Sequence, residues 1–301
     1  MPEWLKFAGV DVAPGGVESL TKLGGGSKGQ KGGDDFALFA WSWAEGERAQ
    51  PFYALRWCGV GAAQTSAMIH RLHQQHHFVT IMCDPNGGGI ELYRNVKSPK
   101  QILVRSDGSE ERFDVTPLIT EDDEQIAGIG EPVWALFKRG ERKIFGTHDI
   151  PGVCPPYPGE SHLPNQMHRV FKEGVQKKII RLPPLWPGWK DEMRLGTQDA
   201  NEMRQWLNEH PGFTGEERSR AEIDLAIQQL VQVERENDRD GKPKLDKYGN
   251  FTFASRGKKD AAYAMLMGYF ALWIFMERTK QENEGSGGES DVVFSSSEVQ
   301  G

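Results

Sequence analysis

The stretch 260–278 (DAAYAMLMGYFALWIFMER) sets the tightest constraint on how this 301-residue chain folds. Its composition suits a helix, yet apolar side chains fall on every side of the cylinder. Such a helix must be buried. A membrane is excluded as the burying medium, because the longest apolar run, 261–275, is broken by Tyr, Gly and Trp and falls short of the roughly 18–20 apolar residues of a span. The helix therefore needs a sheet to lie on. Four short apolar runs suit its strands: 7–12 (FAGVDV), 36–43 (FALFAWSW), 52–60 (FYALRWCGV) and 78–83 (FVTIMC).

Between the third and fourth runs, 62–77 places Ala62, Met68, Ile69 and Leu72 on or near one helical face, and 90–95 begins another helix. The order β, β, β, α, β, α describes an α/β fold, a mixed sheet flanked by helices. Further on, 165–173 reads as a helix stopped by Gly174, and 179–182 as a short strand before Pro183-Pro184. The stretch 221–236 reads as an amphipathic helix striped by Ile223, Ile227, Leu230 and Val233 with Val231 beside it, and 250–254 as a short strand. Asp107-Gly108 and Arg139-Gly140, each between strand-like runs, are hairpin signals. Residues 97–165 thus read as an insertion with two β-hairpins, in which the Pro- and Gly-rich 151–164 is loop. The expected division is one domain over 1–280 and an acidic tail over 281–301, too poor in apolar groups to order itself.

The formal net charge is −7, but the tail holds five acids and no Lys or Arg, so the body carries only −2. A nearly neutral body can still bind a polyanion where its cations cluster. The start MPEWLKFAGVDVAPGG has no basic region ahead of a long apolar one, so no signal peptide is expected. Three widely spaced cysteines (Cys58, Cys83, Cys154) predict a reducing compartment without a disulfide framework.

Three acids carry the chemistry. Asp11 ends the first strand, Asp84 ends the fourth just before Pro85 and the triplet Gly87-Gly88-Gly89, and Asp260 opens the last helix. Each taken alone suits a solvated turn or a helix cap. Strands one and four as neighbours would bring Asp11 and Asp84 to one sheet edge, with Asp260 joining from the covering helix. Three such carboxylates need a counter-charge to stay ionised. Mg²⁺ answers that need, because it prefers carboxylate oxygen and keeps several waters. Two such ions about 3.5–4 Å apart activate a water and stabilise the leaving oxygen of a phosphodiester. The spacing of His70, His73, His76 and His77 allows a zinc face, but no carboxylate or Cys completes it locally, and histidines also suit a helix C-terminus.

Cations that would face DNA fall in the glycine-rich loop 24–33 (Lys28, Lys31, with Lys22 before it) and around Lys172, Lys177, Lys178, Arg181, Arg256, Lys258 and Lys259. Each also suits a solvated surface. Trp186 and Trp189, in a Pro-rich stretch, are the tryptophans placed to meet a partner or DNA.

The segments GVDVAPGG…GGDDFALFAW, VTIMCDPNGGG, IIRLPP and NFTFASRGKKDAAYAMLMGYFAL together resemble the nuclease domain of phage large terminases, over about residues 6–96 and 165–275. The resemblance implies an RNase H-like fold and a metal-dependent endonuclease that cuts concatemeric double-stranded viral DNA during genome packaging. It implies Asp11, Asp84 and Asp260 as ligands of two Mg²⁺ or Mn²⁺ ions. Asp34 and Asp35 stand where family members often carry a supporting acid, displaced from Asp11 by the Gly/Lys insertion. Lys259 stands where some members carry an additional acid. No G-x-x-x-x-G-K-[ST] is present. The implied partners are therefore an ATPase motor on a separate subunit or domain, a small terminase subunit and the portal, in the host cell cytoplasm and without a membrane. Two rivals stand beside this reading: an RNase H-like resolvase of branched DNA, and a non-catalytic packaging or docking module.

Overall fold

Strand β2 (Asp35–Trp43) is buried on both faces from Phe36 to Trp43, so helices must cover the sheet on both sides. The computed structural model describes residues 4–11, 35–58, 61–83, 89–104, 108–120, 152–154, 163–184, 215–231, 233–235, 237–238, 240–245, 253–255 and 260–284. Around β2 lie β1 (Leu5–Asp11), β3 (Gln50–Cys58), β4 (Phe78–Cys83), β7 (Ile119–Thr120) and β8 (Gly152–Cys154), in the order β3-β2-β1-β4-β8-β7. β2 runs antiparallel to β1 and β3, whereas β1, β4, β8 and β7 are mutually parallel. The sheet is mixed, as the order of elements predicts.

Alternation along the strands sorts the core into two clusters. Phe7, Ala37, Phe39, Trp41, Trp43, Ala54 and Met82 share one with α3 (Leu163–Gln176), α4 (Gly215–Val231) and α5 (Asp260–Glu284). Ala8, Val10, Phe36, Leu38, Ala40, Leu55, Ile81 and Cys83 share the other with α1 (Ala62–His76) and α2 (Gly89–Val96). α5 is the all-round apolar helix, and its residues from Ala264 to Leu272 are all buried. The fully buried Trp41 donates its indole N–H to the Met265 carbonyl (3.0 Å), which satisfies the one polar group that its ring takes out of water.

α1 passes into β4 without Gly or Pro. His77 adopts φ 56° and its N–H donates to the His73 carbonyl (2.7 Å), while the Phe78 N–H donates to His73 Nδ1 (3.1 Å). His70 and His73 are buried, and His70 Nε2 meets the Val96 carbonyl at 3.1 Å. The four histidines thus close a helix end and tie it to its neighbours. The Asp107-Gly108 signal matches a hairpin of β5 (Lys100–Val104) and β6 (Glu110–Asp114), with Gly108 at φ 81°. Gln64 of α1 holds this hairpin, accepting from the Val104 N–H (3.0 Å) and donating to the Ile102 carbonyl (3.3 Å).

Several expectations need correction. The stretch 151–164 is not all loop, because Gly152–Cys154 adds β8 to the sheet beside β4. Gly174 does not stop α3. It lies inside the helix, where a Cβ would overlap the Tyr269 hydroxyl and approach Ile180 Cδ1 to 2.8 Å. The 179–182 stretch makes only an isolated bridge, Ala49 with Ile180. α4 starts six residues before the expected 221 and ends at Val231, so Val233 belongs instead to β9 (Val233–Arg235), paired with β10 (Phe253–Ser255). α5 extends to Glu284, past the expected start of the tail at 281. The Arg139-Gly140 hairpin lies outside the described residues.

Candidate functional site

β1 and α5 cross at two glycines. A Cβ on Gly268 would stand 2.8 Å from the Gly9 nitrogen, and one on Gly9 would overlap the Ala264 carbonyl. Only residues without a side chain allow this approach. Earlier in β1, the Phe7 ring meets Phe275 (5.3 Å between centroids). Strand and helix therefore run in opposite senses. Two residues beyond Gly9 along β1 comes Asp11, and four residues before Ala264 along α5 comes Asp260. The two acids lie at the same end of this crossing, and both are half-buried. Gly9 and Asp11 share a strand face, so Asp11 is on the side that α5 covers.

Asp84 lies outside the described residues. Its predecessor Cys83 is buried and pairs with Val10, the residue before Asp11. Val10 and Cys83 are thus parallel partners, each one residue short of a predicted metal ligand. Cys83 belongs to the opposite face from Asp11. Asp35 opens β2 opposite Cys58, two residues from Ala37, the partner of Asp11. It therefore stays at the acid end of the sheet despite the intervening insertion. Asp34, Lys28, Lys31, Arg256, Lys258, Lys259, Trp186 and Trp189 lie outside the described residues. Among the described residues no group of three His, Cys, Asp or Glu is placed to hold a metal ion.

Lys177 and Lys178 are exposed, but at the other end of the molecule. α3 lies along α5 in the same sense, His168 against Tyr263 and Phe171 against Tyr269. Its C-terminus therefore points away from Asp260. Just beyond it, the Arg181 N–H donates to the Ala49 carbonyl (2.8 Å), near the start of β3 and the Leu5 end of β1. Lys177 sits 3.4 Å from Glu173. About seven strand residues, roughly 20–25 Å, separate this end from Asp11.

Two polar features escape a reading by periodicity. In the cross-strand row Asp11–Ala37–Arg56, Arg56 of β3 is on the same face as Asp11 and forms a buried ion pair with Glu222 of α4 (Nε to Oε2, 2.6 Å). The only signal in the sequence is a cation inside an apolar run, FYALRWC. One helical stretch further along α4, the fully buried Gln229 accepts from the Ala262 N–H through Oε1 (3.2 Å) and so caps the first turn of α5.

Chemically, this end of the sheet offers carboxylate oxygens from Asp11 and Asp260 at a helix N-terminus, where the macrodipole favours negative charge. Such oxygens suit a hard divalent cation. Among the described residues no helix is long and apolar enough to cross a membrane. No protein-family model matches the chain, and no curated protein sequence matches it.

Proposed function

We propose that this chain is a divalent-metal-dependent endonuclease for double-stranded DNA, with an RNase H-like fold, acting in viral genome packaging as the nuclease part of a terminase large subunit. The observation that supports the reading is the crossing of β1 and α5, at one end of which both Asp11 and Asp260 lie although far apart in sequence. The pairing of Val10 with Cys83 supports Asp84 as the third member.

Asp11, Asp84 and Asp260 would hold Mg²⁺ or Mn²⁺, with Asp35 at the same sheet end as a supporting acid. Bound there, the cations would lower the pKa of a bound water and offset charge on the scissile phosphate. The chain's own part is to fix carboxylate oxygens on a rigid strand and a rigid helix, so that little reorganisation is needed. Glycines at 87–89 would let backbone approach the phosphate closely. Specificity in this reading is low, since the sequence has no recognition helix or zinc finger to read bases. An ATPase motor, a small terminase subunit and the portal would time the cut, in the host cytoplasm.

The test is plasmid nicking by purified protein in Mn²⁺. Conversion of supercoiled to open-circular and linear DNA that Asp84→Ala abolishes is the expected outcome. Intact plasmid with both proteins removes the enzyme reading. Lys259, in place of an acid, favours the docking module as the second reading; calorimetric titration with Mn²⁺ that shows no binding would support it. A strong preference for four-way junctions over linear duplex would instead support a resolvase.

A further inference from the structure

Gln229 is fully buried on α4, with β9 and β10 between it and Asp260 along the chain. Its carboxamide meets the first turn of α5: Oε1 accepts the Ala262 N–H at 3.2 Å. Ala262 is two residues from Asp260, so this bond acts on the turn that carries the acid. The first N–H groups of a helix have no partner within it, and an acceptor supplied from another element fixes where the helix begins. The other end of the same amide is not engaged. Nε2 is buried and has no hydrogen-bond partner among the described residues. A buried donor is costly unless an acceptor reaches it. The amide thus ties α4 to the turn that opens with Asp260 and keeps one buried donor unengaged.

We propose that Gln229 is a positioning residue for the cation site, an inference that rests on the metal reading of Asp11, Asp84 and Asp260. Oε1 holds the first turn of α5 in register, and Nε2 donates to a carboxylate oxygen of the ligand set once the cation has drawn that set together. Gln229 does not touch the metal. It orients a group that does, as outer-shell hydrogen bonds do elsewhere, where their loss typically costs about 10–100-fold in metal affinity.

The experiment titrates the full chain with MnCl₂ by calorimetry, beside thermal unfolding in EDTA. Wild type that binds no Mn²⁺ overturns the metal reading itself, whatever Gln229 does. Given binding by wild type, Gln229→Met, which keeps the side chain's length and removes both polar atoms, is expected to weaken Mn²⁺ binding about tenfold in protein that remains folded. Gln229→Asn, a milder change that withdraws the amide by one methylene, is expected to weaken it at least threefold and serves if the Met variant does not fold. Gln229→Glu keeps the acceptor for Ala262 but has no N–H to donate, and is expected to bind Mn²⁺ more weakly than wild type. A folded Met or Asn variant whose Mn²⁺ affinity stays within threefold of wild type, with only its unfolding temperature lowered, reduces Gln229 to a structural cap and overturns the proposal.

Discussion

Gly9 and Gly268 meet backbone to backbone: a Cβ on Gly268 would lie 2.8 Å from the Gly9 nitrogen and 2.9 Å from the Phe39 carbonyl. This contact sets how closely α5 lies on β1, and so how far Asp260 stands from Asp11. Neither neighbour can yield cheaply, because the opposing atoms are main chain in a strand and a helix. Gly268→Ala is expected to cost about 1–3 kcal/mol, as overpacking of a tight core does, and Gly9→Ala more. Urea denaturation followed by circular dichroism would measure both. An unchanged midpoint for Gly268→Ala would mean that the two elements are not in contact.

The Arg56–Glu222 pair is a second consequence of burial. Both side chains are about 1% exposed, so solvent does not screen them. Glu222→Ala leaves a buried guanidinium without its carboxylate and is expected to cost about 3–5 kcal/mol. Arg56→Met combined with Glu222→Leu removes the whole charge problem and should recover most of that loss. A double-mutant cycle in guanidinium chloride reads the coupling. Additive single and double effects would show that the pair contributes nothing specific.

The proposed cation site makes a demand on Asp11 and Asp260 that binding can test. On the proposed reading Asp11→Asn and Asp260→Asn should each lower Mn²⁺-dependent nicking at least about a hundredfold, because a ligand of the cation would be lost. In EDTA the same variants should stay folded, with a wild-type circular dichroism spectrum, so that lost nicking reports the cation and not the fold. A variant that loses nicking only because it unfolds at lower temperature would point to a structural acid.

The pH response comes from α1. Burial lowers the His76 pKa to about 4, with Lys6 and His77 pushing the same way, and burial likewise lowers that of His70. Below the ordinary histidine value of about 6.5, the unfolded chain takes up protons that the folded chain refuses. Stability from this source is therefore intact above about pH 6.5 and falls as the pH drops toward 4. His76→Phe, beside Phe52, Tyr53 and Phe78, should lessen the loss between pH 6.5 and 4.5 in urea titrations. A slope identical to wild type would show that His76 titrates normally in the folded protein.

Much of the fold is legible in the chain because period and composition are local properties. The runs at 36–43 and 78–83 are apolar enough to be strands wherever they go, and the helix from Asp260 is apolar on every side, so a covered mixed sheet follows. Local patterns also place Asp11 at a strand end and Asp260 at a helix start. Where the patterns mislead, a contact from a distant element overrides them. Gly174 looks like a helix stop, but it is the gap that admits Tyr269. Residues 152–154 look like loop, yet β4 offers them an edge to pair with.

Which acids share an end was settled only in three dimensions, by two glycines 259 positions apart that let a helix settle on a strand. The same is true of Arg56 with Glu222 and of Gln229 with Ala262. Each polar group is paired across elements, and periodicity has no term for a partner that is near in space and far along the chain. The sequence by itself determined the elements and their apolar faces, because those depend on neighbours a few residues away. The tertiary structure decided which buried polar groups meet, because the cost of leaving a charge or an N–H unpaired is felt only once water is gone.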